Sequence, residues 1–245
     1  STPALADLDG DRILDRVYAG DVQGNMWAFD LTCGGASCGT TDFKVVYKTG
    51  ATPKPLFTTQ DPLGNPQPIM AKPILARNTQ ETTTPSNEPN ILVLFGTGQY
   101  HSVSDNIGTT KINTFYGIWD DGTGKLTDNR TDTTLIGQVL TSTTTAYGEL
   151  RSITSNTIDW TTNKGWYVDL APQNIAVNEA EERAVGNPAI RGSVLFFNTI
   201  IPNAQICGFG GAGWLMSIDI FTGGTTTTTV FDVTRNGVVD DADNI

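Results

Sequence analysis

The sequence predicts an all-β fold, read as a β-propeller with inserted loops. Three observations predict it. Strand signals are short and separated by turn residues. The chain holds 26 Gly and 12 Pro among its 245 residues, with abundant Thr and Ser and few long amphipathic patterns, which favours strands over helices. Several strands also end in an aromatic or apolar run followed by Asp, as in Trp27-Ala28-Phe29-Asp30, Ile118-Trp119-Asp120 and Ser217-Ile218-Asp219. A loose repeat of this kind is what propeller blades with insertions produce. A β-sandwich is the alternative.

The elements follow in order. Residues 16–21 and 26–31 flank a Gly24-Asn25 turn and predict a hairpin. Residues 44–48 (KVVYK) predict a third strand. Residues 67–76 are apolar but carry Pro68 and Pro73, so they fit an edge strand, where missing ladder donors do no harm. Residues 78–90 form a polar loop, and residues 91–95 (ILVLF) predict a strand buried on both faces. Residues 115–120 predict another strand, closed by a turn at Asp121-Gly122-Thr123-Gly124. The stretch 125–163 is polar and is expected to be an excursion. Strands are expected again at 165–170, at 183–190 and 193–201 around Arg191-Gly192, and at 213–219. Gly223-Gly224 and the following threonines predict a linker or exposed strand. The expected division is a propeller portion at 1–222 and, at 223–245, a Thr-rich linker with a second loop.

Charge narrows the function. The net charge of −11 and pI of about 4.4 oppose nucleic acid, whose binding needs a basic face to displace counterions. They suit calcium and extracellular life. No run approaches the about 18 apolar residues of a membrane span. His101 is the only histidine, which disfavours His-based triads and metal sites and makes a turn or packing role its ordinary reading. Ser1-Thr2-Pro3 is not a signal peptide, and the ending inside a loop reads as a fragment. Cys33 and Cys38 enclose a flexible tetrapeptide that could close a small disulfide loop. Cys207 is left over, to pair outside this stretch or stay a buried thiol. A zinc site is disfavoured, because a second ligand pair is missing.

The segment Asp7-Leu8-Asp9-Gly10-Asp11-Arg12-Ile13-Leu14-Asp15 places carboxylates at loop positions 1, 3, 5 and 9. Four acids so close repel unless a cation neutralises them, and odd-position spacing wraps a loop around a hard cation. Asp7, Asp9 and Asp11 would ligate by side chain and Ile13 by its carbonyl. Asp15 would close the site, and Leu14 would anchor the loop in the core. Calcium fits better than magnesium, which retains waters. The bland reading is a solvated acidic turn. Arg12 stands at position 6, where glycine usually makes the bend, at a cost of about 1 kcal/mol if φ is positive. Tyr18 stands at position 12, where an acid is usual.

A second loop runs from Asp232 to Asp243. Asp232, Thr234, Asn236, Val238, Asp240 and Asp243 occupy positions 1, 3, 5, 7, 9 and 12, with Gly237 at position 6. It resembles EF-hand and dockerin calcium loops, and its fewer charges predict weaker binding. The Gly208–Gly213 run has dinucleotide-like glycine spacing, but a strand rather than a helix is expected after it, so no phosphate-binding helix is formed.

Several segments together resemble the PilC/PilY family of type IV pilus tip proteins. They are residues 7–31, Phe95-Gly96-Thr97-Gly98-Gln99-Tyr100, Thr114-Phe115-Tyr116-Gly117-Ile118-Trp119-Asp120, Gly165-Trp166-Tyr167-Val168-Asp169-Leu170, Thr199-Ile200-Ile201-Pro202 and Gly210-Gly211-Ala212-Gly213-Trp214-Leu215. The resemblance implies a modified β-propeller with inserted loops and calcium-binding loops, in the C-terminal half of a larger protein, of which this stretch carries an incomplete set of blades. It implies export through the periplasm to the cell surface or pilus tip. It implies roles in fibre assembly, retraction control and adhesion, with minor pilins and a host or surface receptor as partners. The family's calcium loop maps onto Asp7, Asp9, Asp11, Ile13 and Asp15.

The function expected is therefore a calcium-binding pilus tip module and not an enzyme. Residues 19–30 also resemble a blade motif of quinoprotein-like dehydrogenases, which gives the alternative from another class. A dockerin-like scaffold module rests on residues 232–243 alone.

Overall fold

Residues 1–33, 39, 43–82, 89–102, 105, 111–124, 134–172, 181–203 and 211–243 are described by a computed structural model. The first sheet contains β1 (Ala4–Ala6), β2 (Arg16–Gly20), β3 (Asn25–Asp30) and β4 (Lys44–Val45) in that order. The predicted third strand is broken rather than continuous. After β4 the chain forms a small pair, β5 (Lys48–Thr49) and β6 (Thr52–Pro53), and then β7 (Phe57–Thr58) returns to β3. The break lets Tyr47 turn inward, where it is buried.

The second sheet runs β11-β14-β10-β9-β8. It comprises β8 (Ile74–Arg77), β9 (Ile91–Gly96), β10 (Thr114–Asp120), β11 (Ile136–Gln138) and β14 (Gly165–Asp169). As the two prolines predict, β8 lies at the edge. Every residue of β10 is buried. The stretch 125–163 is corrected. Its described part, from residue 134, holds β11 and a hairpin of β12 (Leu140–Thr145) and β13 (Gly148–Ile153). Threonines tolerate a half-exposed hairpin because their branched side chains suit a pleated surface. The third sheet is β15 (Ala189–Arg191), β16 (Val194–Asn198) and β17 (Leu215–Asp219). The predicted turn at Gly192 has φ of 59°.

Alternation explains how the sheets stack. In β9, Leu92 and Leu94 face one core while Val93 and Phe95 face another; in β10, Phe115 and Trp119 oppose Tyr116 and Ile118 in the same way. The first sheet supplies Tyr18, Met26 and Ala28 to one core. The third supplies Leu195, Phe197, Met216 and Ile218 to the other. The second sheet is therefore sandwiched between the first and third, with its side-chain period of two filling both interfaces. Three sheets stacked by their faces are the blades of a β-propeller.

One turn occurs twice. Asp21 accepts hydrogen bonds at Oδ1 from the backbone N of Gln23 and Asn25, and at Oδ2 from Asn25 Nδ2. Asp61 accepts the same three from Leu63 and Asn65. Gly24 and Gly64 take φ of 85° and 84°. The shared pattern is Asp-x-x-Gly-Asn, in which the aspartate replaces the missing ladder bonds and glycine takes the left-handed position.

The expected linker at Gly223-Gly224 is packed instead. A Cβ on Gly223 would meet the Trp166 ring at 2.4 Å, and Thr225 Oγ1 donates to Ile153 O at 2.7 Å. Beyond it, the threonines up to 229 form no strand. Cys38 (the expected partner of Cys33), Cys207 and residues 208–210 of the glycine run lie outside the described residues. The chain after that run is β17, a strand, as expected.

Candidate metal centre

The first acidic loop joins β1 to β2, so its ends are fixed by the pairing of Ala6 with Arg16. Asp15 N donates to Ala6 O at 2.9 Å and closes the base. Within the loop, Asp7 Oδ1 accepts from Gly10 N at 2.6 Å and its Oδ2 from Arg12 N at 2.8 Å. Asp9 Oδ1 accepts from Asp11 N, Asp11 Oδ1 from Ile13 N, and Asp15 Oδ2 from Leu8 N. These bonds curl the backbone around its own carboxylates.

Asp7, Asp9 and Asp15 each bring a carboxylate oxygen within 4.8 Å of the others, and among the described residues theirs is the one such grouping. An all-oxygen, triply anionic set fits calcium, which takes carboxylates and carbonyls in flexible geometry. Asp11 falls outside this trio. Leu14 does not anchor the loop: it is 41% exposed, and Ile13 is 67% exposed. The tight curl turns positions 7 and 8 outward, and Leu8, partly buried against the first core, packs the loop instead.

Arg12 has φ of 74°, so the strain foreseen at position 6 is present. Gly10, at position 4, has φ of 84°. The second loop takes the same shape with the residue types exchanged. Arg235 at position 4 has φ of 59° and Gly237 at position 6 has φ of 85°. Gly237 N donates to Asp232 Oδ2 at 2.8 Å, matching the Arg12–Asp7 bond, and Val238 N donates to Asn236 Oδ1, matching Ile13–Asp11. Asp243 is buried and accepts from Thr234 N and Asp240 N. The Thr234 bond, ahead of the others, holds its carboxyl below the usual range. Asp232, Asp240 and Asp243 do not form a close trio like that of the first loop.

Asp120, at the end of β10, was not legible as a site residue. Its side chain is wholly buried. Oδ2 accepts from Arg16 Nη1 at 3.1 Å and from Tyr18 OH at 2.7 Å. Oδ1 accepts from Tyr47 OH and from Gly122 N. An acid closing an otherwise apolar strand was the signal that could have marked it. Tyr18, which occupies the acid's usual place at position 12 of the first loop, serves this cluster instead. His101 takes the turn role: its backbone N donates to Asp105 Oδ2 at 3.0 Å.

The sequence and fold have known counterparts. Residues 1–148 match the PilY1 beta-propeller domain. Over 98% of its length the chain is 32% identical to the type IV pilus biogenesis factor PilY1 of Pseudomonas aeruginosa. Over 90% it is 31% identical to a PilY1 homolog of Xylella fastidiosa. It spans 22% and 14% of those relatives' lengths. The crystal structure of the P. aeruginosa PilY1 C-terminal domain superposes with a TM-score of 0.76 at 30% identity, covering 97% of this chain and 50% of that one. No helix among the described residues is long and apolar enough to cross a membrane. Family match, sequence identity and superposition agree that the chain belongs to the PilY1 beta-propeller family.

Proposed function

We propose that the chain is the calcium-binding propeller portion of a type IV pilus tip-associated protein, acting in pilus biogenesis, retraction control and adhesion at the cell surface. The observation that carries the calcium reading is the trio of Asp7, Asp9 and Asp15 oxygens within 4.8 Å. Asp11 and the Ile13 carbonyl complete the ligand set. When bound, the ion neutralises the loop and fixes the entry into β2. The second loop, through Asp232, Thr234, Asn236, Val238, Asp240 and Asp243, binds the same ion more weakly, because it carries fewer charges. Residues 1–222 form the propeller portion, and 223–245 carry this second loop.

The pilus reading is supported by relatives named as type IV pilus biogenesis factors. Minor pilins at the fibre tip are the partners proposed, with a surface receptor for adhesion. The same names favour a non-enzymatic role over the quinoprotein-like alternative. The test is genetic. Asp7→Ala, Asp9→Ala and Asp15→Ala together, in the gene of a piliated cell, are expected to change surface pilus number or twitching motility. Wild-type piliation and motility in that strain would contradict the proposal.

A further inference from the structure

Arg16 directly follows Asp15, one of the clustered loop carboxylates, yet its guanidinium does not serve the loop. It crosses to the second blade and meets Asp120 Oδ2 at 3.1 Å, with side-chain exposures of 14% and 0%. Tyr18 and Tyr47, also from the first blade's side, donate to the same carboxylate, and Gly122 N supplies a fourth donor. Burial opposes the charge on Arg16, but Asp120, Tyr18 and Tyr47 together outweigh it and keep the guanidinium protonated. A buried pair of this kind is costly to break, because either partner alone is an uncompensated charge.

The placement has a consequence for the loop. Arg16 follows Asp15 directly in the chain and, if released, would be a second cation beside the loop, whose own Arg12 already sits between Asp11 and Ile13. An ammonium or guanidinium among those carboxylates competes directly with a metal ion. Asp120 holds that competitor on the neighbouring blade. It also fixes the direction in which the chain leaves Asp15, together with the Ala6–Arg16 pairing and the bond from Leu31 N to Asp15 O at 2.8 Å.

We infer that Asp120 is a positioning residue for the first loop: by sequestering Arg16 it keeps the loop open to its cation, and cation binding in return tightens the contact between the first and second blades. Reciprocity follows from linkage, since a residue that changes ion affinity is itself stabilised by the ion. The inference rests on the calcium reading above.

The test is a calorimetric titration with calcium chloride on the chain carrying Asp232→Ala and Asp240→Ala, which silences the second loop. Adding Asp120→Asn is expected to weaken calcium binding by about 5-fold or more, the lower end of ordinary coupling. Adding Arg16→Gln to that variant is expected to restore most of the affinity, because the competing cation is gone. Affinity that recovers only in step with the melting temperature would instead mark a merely structural role and overturn the inference, since Arg16→Gln also removes an unpaired buried charge. Hydrogen exchange supplies a second readout that does not depend on Asp120→Asn folding. Calcium is expected to slow exchange at residues 119–122, and Tyr47→Phe, which removes one donor only, to reduce that protection. Equal affinity in Asp120→Asn, absence of rescue by Arg16→Gln, or exchange at 119–122 indifferent to calcium each overturns the coupling and leaves calcium binding standing. Absence of calcium binding in the parent chain overturns both.

Discussion

Trp166 in β14 lies on its cross-strand partner Gly117 in β10 so closely that a Cβ on Gly117 would sit 2.3 Å from the indole Cε2. Gly223 approaches the same ring from the end of the third blade, and the indole N donates to Ile220 O at 3.0 Å. One side chain therefore joins two blades, and two glycines make room for it. Gly117→Ala is expected to destabilise the chain by about 1–3 kcal/mol, the range for overpacking a filled core. Chemical denaturation measures it, and an unchanged midpoint would contradict the packing.

A second expectation concerns the strained bend. Arg12 has no glycine's freedom at φ of 74°. Arg12→Gly should stabilise the chain by about 1 kcal/mol, because the left-handed conformation costs a residue with a Cβ about 1–2 kcal/mol. Gly237→Ala in the second loop, at φ of 85°, should do the reverse. Thermal melts of both variants check the pair.

Much of this was readable in the residues. The 91–95 run, the hairpin before Asp30 and the edge position imposed by Pro68 and Pro73 follow from pattern and backbone chemistry alone. So does the spacing of Asp7, Asp9 and Asp15. What the pattern hid depends on distance. Asp120 finds Arg16 104 residues away, and no local window contains both. Leu14 looked like a core anchor because it is apolar, whereas the curl of the loop turns it out. The hairpin at 140–153 was missed because its threonines and polar residues give no apolar alternation, and the second Asp-x-x-Gly-Asn turn was missed because its flanking strands are too short to signal.

Acid stability follows from the Asp21 turn. Partial burial raises the Asp21 carboxyl, but hydrogen bonds from Trp27, Asn25 and Gln23 outweigh it and hold the group below the usual carboxylate range. The unfolded chain then binds the proton more tightly than the folded one. The stabilisation is complete above the unfolded value of about 4 and is lost as pH falls through the lower folded value. Melting temperature should therefore hold at neutral pH and decline below about pH 4, and Asp21→Asn should flatten the decline. A decline of equal slope in the variant would contradict the assignment.

Alkali tests the buried cluster. Burial, followed by the Asp120 charge, pushes the Tyr18 and Tyr47 phenols well above their ordinary value. Their contribution is fully present below about pH 10 and falls as pH rises through the folded values. Of the 6 tyrosines, these are expected to form phenolate only as the chain unfolds. Ultraviolet titration should show a second absorbance rise coincident with loss of structure. Complete ionisation of every tyrosine in the folded chain would contradict the cluster.

Calcium at the first loop is the centre of the account. The trio groups Asp9 with Asp7 and Asp15 and leaves Asp11 outside, so on the calcium proposal Asp9→Ala should cost more affinity than Asp11→Ala. Saturation at about 100 times the dissociation constant would add about 2.7 kcal/mol of stability. The most direct measurement is a calorimetric calcium titration of the chain with its second loop silenced by Asp232→Ala and Asp240→Ala. One site is expected, with a dissociation constant of about 10⁻⁴–10⁻³ M, as extracellular modules show, abolished by Asp9→Ala. A parent chain that takes up no calcium, or an Asp9→Ala variant that binds it undiminished, would contradict the account.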